Sequence, residues 1–192
     1  MYRVLAGLVL VMLFSWEDIS CNSNRNHPQN DTGNVKEDTS ISGRITSVTT
    51  QINASPSNPD LYESRAKLFI QLGKSEEALQ DMYRSLYIDS MRISYYQTLA
   101  DIYTPTGKGE MAFLSLEKGN MLHPEDHKHA IKTATYALYL KKYEQGLSTI
   151  NSILKQDPFD PEAYFIKAMI YKDQGVLLKA MSSLQTCVEQ DP

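Results

Sequence analysis

The chain has 192 residues, enough for one domain with a tail, and 42% of them are hydrophobic and 22% charged, as in an ordinary folded domain. The formal net charge of −4 argues against general nucleic-acid binding, and two cysteines are too few for a disulfide framework. The motifs CxxC, HExxH, GxSxG, GxxxxGK and GxGxxG are all absent, so the sequence predicts no enzyme and no cofactor.

Residues 1–20 are predicted to be a signal peptide. Arg3 provides a short positive start, and residues 4–14 form an uncharged, largely apolar stretch that ends before Glu17. This stretch has the length of a signal-peptide core and falls short of the ~20 apolar residues that span a bilayer as a helix. We therefore expect the protein to be exported.

Cys21 follows directly, preceded by Ile-Ser and followed by Asn-Ser-Asn. This arrangement resembles the processing site of bacterial lipoproteins, although Asp18 stands where those proteins have a Leu-like residue. The resemblance implies that Cys21 is lipid-modified and holds the protein on the periplasmic side of a bacterial membrane, with the outer membrane expected. The alternative is an unmodified cysteine in a protein secreted without a lipid.

Residues 21–40 are rich in Asn, Ser, Asp and Thr, and Val35 is their only aliphatic residue. Because such a segment buries too little apolar surface to offset the entropy of ordering it, we predict a flexible tether. Residues 41–55 then carry apolar side chains at helical spacing and predict an N-terminal capping helix. That apolar stripe consists of Ile41, Ile45, Val48 and Ile52.

Past the capping helix, the sequence repeats with a period of 34 residues. Each period contains an apolar helical stripe, a turn residue, and a second stripe that ends near a proline. The turn column holds Gly73, Gly107, Lys141 and Gly175, and the next column holds Ala78, Ala112, Gly146 and Ala180. A third column holds Pro56, Ser90, Pro124, Pro158 and Pro192.

This pattern resembles the tetratricopeptide repeat, a helix–turn–helix unit of 34 residues. The resemblance implies an all-α fold, a right-handed solenoid of antiparallel helix pairs. Four repeats are expected after the capping helix, at residues 59–92, 93–126, 127–160 and 161–192.

Several residues depart from the repeat pattern. Pro105 lies late in the first helix of repeat two and should shorten or kink that helix. Gly119 and Asn120 replace larger residues in the second helix, which predicts looser packing there. Cys187 stands where the fold needs a small buried residue. A group of histidines, His123, His127 and His129, is predicted to be a solvated polar turn rather than a metal site.

The last helix is predicted to expose an apolar face, because no polar capping helix follows it. The apolar residues of this face are Leu177, Leu178, Met181, Leu184 and Val188. Two explanations remain open: the chain is part of a longer protein, or this face pairs with another molecule, including a second copy.

The family resemblance also implies a binding groove along the first helix of each repeat. Its expected lining is Lys67, Gln97, Asp101, Lys128, Ile131, Lys132, Thr135, Tyr139, Phe165 and Met169, with Asp60 and Glu63 at the N-terminal end. Apolar anchors beside lysines suit a peptide that has apolar residues and an acidic group. Alternatively, Ile131 and Phe165 simply pack between neighbouring helices.

The sequence thus predicts a non-catalytic scaffold that is exported, lipid-tethered and bound to a protein or peptide partner. The alternative is the N-terminal repeat region of a larger envelope enzyme or transport-associated lipoprotein. No metal and no nucleic acid is expected in either case.

Overall fold

The computed structural model describes the backbone of residues 32–190 and the side chains of residues 41–190. The predicted signal peptide and Cys21 lie outside these residues. The described part consists of helices and contains no strand. The helices are α1 Thr32–Ala54, α2 Pro59–Gln71, α3 Ser75–Ile88, α4 Ile93–Tyr103, α5 Gly109–Leu122, α6 His127–Tyr139, α7 Tyr143–Gln156, α8 Pro161–Asp173 and α9 Leu177–Gln190.

The helices form four consecutive pairs after α1, and each helix packs against the next one along the chain. This arrangement confirms the predicted all-α helical-repeat solenoid. None of the described helices combines the length and apolar character needed to cross a membrane.

Polar side chains fix the starts of three first helices. Asn58 caps α2 and Asp160 caps α8, and in both helices a proline occupies the first turn. Asp126 caps α6 by accepting a hydrogen bond from the backbone N–H of His129 at 2.8 Å. These caps satisfy backbone donors that lack a partner inside the helix.

In each of the four helix pairs, the turn between the two helices contains a residue with left-handed backbone conformation. Gly73, Gly107 and Gly175 have φ of 70°, 72° and 77°. Lys141 occupies the same place in repeat three with φ of 58°, so its turn has the same shape without a glycine. The hydrogen bonds that close the helix end are also the same, from the N–H of Lys141 to Leu138 O and from the N–H of Lys142 to Ala137 O.

Helix α1 begins at Thr32, whereas the capping helix was predicted to begin at residue 41. Residues 32–40 contain no proline, so their backbone can continue the helix upstream of its packed part. Within the packed part, Ile41 and Ile52 are buried, and α1 lies against α2. The helix therefore covers the first repeat.

Helix α4 has 11 residues, whereas α2, α6 and α8 have 13 each. It ends at Tyr103, two residues before Pro105. The N–H of Thr104 still donates to Ala100 O, but proline has no N–H with which to continue the helical hydrogen bonds, so the helix stops early. The predicted shortening is confirmed.

The buried apolar residues form two clusters. One is built by repeats one and two, with Ala66, Met82, Tyr95, Leu99 and Leu116 among its members. The other is built by repeats three and four, with Ala134, Ile150, Ile153, Ile166 and Ile170 among its members. Buried polar side chains, those of His129 and Thr133, lie between the clusters and point to Leu116 O. Polar side chains thus separate the two apolar clusters at the junction of repeats two and three.

Three predictions about this packing were wrong. His129 is fully buried, not solvated, and the segment at Gly119 is tightly packed, because a Cβ there would lie 2.6 Å from His129 Nε2. The imidazole fills the space that the missing side chain leaves. Cys187 is only half-buried, since it lies on α9, whose outer side faces solvent.

Candidate functional site

The first helices of neighbouring repeats are connected by polar side chains near their N-terminal ends. Asp60 Oδ1 accepts hydrogen bonds from Arg92 Nη1 at 2.5 Å and from Tyr95 Oη at 2.7 Å. The pKa of Tyr95 is raised well above its usual value, mainly by burial and to a smaller extent by this hydrogen bond to Asp60. In the same row, buried Glu63 accepts a hydrogen bond from Thr98 Oγ1 at 3.0 Å.

The acidic residues expected to line the N-terminal half of the groove are therefore engaged within the protein. Glu63 also pairs with Lys67 at 2.9 Å, so this predicted groove lysine already has a partner. The first helices of repeats one and two therefore carry few unpaired acidic side chains on this side.

At the junction of repeats two and three, Gln97 Nε2 donates to His129 Nδ1 at 3.0 Å, and His129 Nε2 donates to Leu116 O at 2.8 Å. Both ring nitrogens are satisfied when the imidazole is neutral. Burial lowers the pKa of His129 and so favours this neutral form, although the bond to Leu116 O acts in the opposite direction. Gln97, a predicted groove residue, thus orients a core histidine.

Two further contacts span the same junction. Lys132 Nζ lies 2.9 Å from Asp101 Oδ1, and both side chains are substantially exposed. One turn further on, the hydroxyls of Thr104 and Tyr136 are hydrogen-bonded. These side chains connect α4 to α6. Within residues 32–190, α2 lies directly against α4 and α6 lies directly against α8, whereas α4 and α6 do not approach each other as closely.

Two concavities lie beside this wider spacing and a third lies between α6 and α8; they share lining residues, and together we call them the central cleft. The first, of about 370 Å³, is lined by Gln97, Lys128, Ile131, Lys132, Thr135, Tyr136 and Glu162. The second, the turn pocket, has about 510 Å³ and is lined by Thr104, Gly107, Gly109, Glu110, Thr135, Tyr136, Tyr139 and Leu140. The third, of about 440 Å³, is lined by Leu138, Tyr139, Lys141, Met169, Lys172 and Asp173.

Most of the predicted groove residues of repeats two to four meet in the central cleft. Thr135 and Tyr139 lie where the concavities adjoin, and Tyr139 is 79% exposed. Ile131 lines the cleft but is only 7% exposed, so it is chiefly a core residue, as the alternative interpretation held. Phe165 is 45% exposed and lies outside the three linings, as do Lys67 and Asp101.

The sequence did not predict the turn pocket. Its residues Thr104, Glu110, Tyr136 and Leu140 were absent from the expected lining. One signal for it is present in the sequence, because Pro105 predicts a short helix and hence an opening beside its end. The position of α6 across that opening is a tertiary property.

A second cluster joins the start of α6 to the turn before α8. Ligand-type atoms of His127, Asp157 and Asp160 all lie within 4.8 Å of one another. Asp157 accepts the N–H of Phe159 at 3.0 Å, and Asp160 accepts the N–H of Ala163 at 2.8 Å. We attribute both carboxylates to turn and cap formation and assign no metal to them.

Stacked helix pairs with a cleft between their first helices define the protein as a helical-repeat solenoid. Residues 59–90 and 161–192 match the family model described as tetratricopeptide repeat, and they coincide with the first and fourth helix pairs. The first and fourth helix pairs are therefore tetratricopeptide repeats, within a solenoid of the same helical architecture. Repeats of this family are typically non-catalytic interaction modules.

Among curated proteins, none matches the sequence significantly. Among solved structures, MamA is similar with a TM-score of 0.67 and 16% identity over 84% of this chain and 93% of that one. YrrB, described as a TPR protein with an unusual peptide-binding site, gives 0.65 and 13% over 82% and 81%. A tetratricopeptide repeat protein from Parabacteroides merdae ATCC 43184 gives 0.68 and 17% over 82% and 62%. At these identities the similarity establishes the fold.

Proposed function

We propose that the protein is a non-catalytic scaffold that binds an extended segment of another protein in the central cleft. The observation that carries this proposal is the junction of three concavities around Thr135, Tyr136 and Tyr139, on the ligand-facing side of the solenoid. Clefts of this size, with mixed apolar and polar walls, suit peptide side chains.

The charges around the cleft favour a segment that contains an acidic group. Lys128 lines one end and Lys172 the other, and neither forms an ion pair within residues 41–190. The nearby Asp101 carboxylate is neutralised by Lys132. The three linings together hold four lysines and three carboxylates, with Glu162 in the concavity of Lys128 and Asp173 in that of Lys172. The small excess of positive charge favours an acidic group in the ligand, and the exposed Tyr139 ring offers apolar contact area.

Selection from a random dodecapeptide display library tests this proposal. Peptides enriched on the protein are synthesised, and their dissociation constants are measured by fluorescence anisotropy. We expect acidic peptides whose affinity falls about tenfold with Lys128→Glu or Lys172→Glu. Lys118→Glu, on the outer helix α5, is the matched control. Equal losses in all three variants, or enrichment of basic peptides, would contradict binding in the cleft.

We further propose that the protein is exported and lipid-tethered through Cys21 on the periplasmic side of the outer membrane. The support is the order of a positive start, an apolar stretch, a cysteine and a polar segment in residues 1–40. Mass spectrometry of the mature N-terminus and membrane fractionation in a Gram-negative host test it. An acylated Cys21, lost together with membrane association in Cys21→Ser, is the expected result; a soluble, unmodified product would refute the tether.

The outer face of α9 supports a proposal of self-association. Leu177, Met181, Leu184 and Val188 follow the four–three–four spacing of helix-pairing stripes, and all are exposed, as is Leu178 at 84%. We propose that two copies pair through these stripes.

Light scattering should show a dimer that becomes a monomer in Met181→Glu, whereas Ser182→Glu on the same helix should remain dimeric. A monomeric starting protein would refute pairing, and a longer natural product would indicate that a further repeat covers this face.

A further inference from the structure

We infer that the turn pocket receives one aromatic side chain of the bound segment and thereby determines which segments the protein recognises. The pocket lies beside the α4–α5 turn, at the edge of the groove rather than along its floor. This inference rests on the proposed peptide binding and specifies the chemistry of the ligand.

The pocket exists because repeat two lacks bulk at its turn. Pro105 ends α4 early, and the residues that follow include Gly107 and Gly109. A Cβ at Gly109 would lie 3.2 Å from Leu140 Cδ2, so a larger side chain there would narrow the opening. The equivalent residues of the other repeats are Ser75, Tyr143 and Leu177, all larger than glycine.

The walls favour an aromatic ring over an aliphatic side chain. Tyr136 and Tyr139 contribute ring surfaces, and Leu140 contributes an apolar one. Aromatic pairs gain energy beyond their buried area through edge-to-face or offset contacts. The hydroxyls of Thr104 and Tyr136, already joined to each other, lie at the same pocket and offer acceptors for an indole N–H or a phenol O–H.

The pocket is positioned for a side chain of a longer ligand rather than for an isolated small molecule. It shares Thr135 and Tyr136 with the concavity that Lys128 lines, and Tyr139 with the concavity that Lys172 lines. A segment that lies along the cleft therefore passes the pocket between two cations. At the rim, Glu110 is paired with Lys142 at 2.9 Å, so this carboxylate is neutralised beside the entering ligand. The expected ligand has one Trp or Tyr and an acidic residue that reaches Lys128 or Lys172.

The test combines the selected peptides with a small probe. Replacing the aromatic residue of a selected peptide with Leu should weaken binding by about thirtyfold, the effect of an aromatic hot-spot residue. Gly109→Leu should cause a similar loss by filling the pocket, and Tyr139→Ala should do so by removing a wall. Ser75→Leu, at the same place in repeat one, is the matched control and should leave binding unchanged. N-acetyl-tryptophanamide should shift the amide NMR signals of Gly107, Gly109 and Thr135 more than N-acetyl-leucinamide does.

The outcomes separate the pocket from the groove. Peptides that require Lys128 but tolerate Leu in place of the aromatic residue, and also tolerate Gly109→Leu, would overturn the pocket and leave groove binding intact. Absence of any selected peptide, with tryptophanamide shifts confined to the pocket, would support the pocket and refute the groove. Thermal unfolding of each variant identifies losses that come from misfolding, and Tyr139→Ala serves if Gly109→Leu does not fold.

Discussion

Gly119 and His129 occupy one shared space: a Cβ at Gly119 would lie 2.6 Å from His129 Nε2 and 2.9 Å from its Cε1. The equivalent pairs along the repeat are Ser85 with Tyr95 and Ile153 with Ala163. In each pair, one residue is small and the other residue is larger. The helices can therefore keep similar spacing while the side chains that fill the interface change.

Because this space is full, Gly119→Ala should destabilise the protein by about 1–3 kcal/mol through overpacking, despite the better helix propensity of alanine. Urea unfolding followed by circular dichroism measures the change. In a His129→Ala background the same substitution should cost much less, since the clashing imidazole is gone.

Gly43→Ala is the matched control for this substitution. Gly43 is also helical, and a Cβ there meets nothing within 4 Å, so alanine should stabilise the protein by up to about 1 kcal/mol. Additive effects of Gly119→Ala and His129→Ala would contradict the shared space.

The burial of His129 makes stability depend on pH. Burial lowers the pKa of His129 in the folded state, so between that value and the unfolded value of 6.5 the unfolded chain binds more protons. This contribution to stability is complete above pH 6.5 and is lost as the pH falls below it. We expect a lower urea midpoint at pH 5.5 than at pH 7.5.

His123 acts in the opposite direction and must be removed for this measurement. Its bond to Met91 O raises its pKa, so its contribution is complete below pH 6.5 and is lost as the pH rises through the folded value. His123→Gln should therefore steepen the loss of stability in acid, and adding His129→Gln should flatten it. An unchanged slope after the second substitution would contradict the neutral, buried state of His129.

Arg65 and Asp81 form the most buried ion pair within residues 41–190. The guanidinium donates Nε and Nη2 to the carboxylate at 2.8 and 2.7 Å, and Nη1 donates to Thr49 Oγ1 at 3.1 Å. Asp81→Ala should reduce stability by about 3 kcal/mol, because the charge of the partly buried guanidinium loses its partner. Asp101→Ala, from the exposed pair with Lys132, should change stability by at most about 1 kcal/mol. Equal effects would show that burial does not set the strength of these pairs.

Lys141 has a left-handed backbone conformation, and glycine occupies the equivalent position in the other three turns. Lys141→Gly should stabilise the protein by about 1 kcal/mol, because it removes the contact between Cβ and the backbone that disfavours this conformation. Gly73→Ala, at the equivalent turn, should destabilise it by a similar amount. Differential scanning calorimetry of both variants checks the pair, and a lower melting temperature for Lys141→Gly would contradict it.

The repeat architecture was predictable because it depends on local features that recur along the chain. The glycine column, the alanine column and the apolar stripes each specify helix ends and helix faces without reference to distant residues. Even the early end of α4 follows from Pro105 alone. The apolar residues that the sequence predicted on the outer face of α9 are exposed in the described structure.

The candidate site was predicted only in part. The family resemblance assigned Thr135 and Tyr139 to the expected groove, and both line the central cleft. The helical register gave no means of knowing that Thr98 binds Glu63 or that Gln97 binds His129. Such pairings depend on which side chains meet across repeats.

The sequence by itself therefore determined the helix pairs, their turns and their order, because 34-residue periodicity and backbone preferences act locally. Only the tertiary structure decided how repeats two and three meet. There His129 fills the space above Gly119, and polar side chains join α4 to α6 where their backbones remain apart. Side-chain volumes from residues 10 positions apart, and hydrogen-bond partners about 30 positions apart, set that spacing, and this spacing opens the first two concavities of the central cleft.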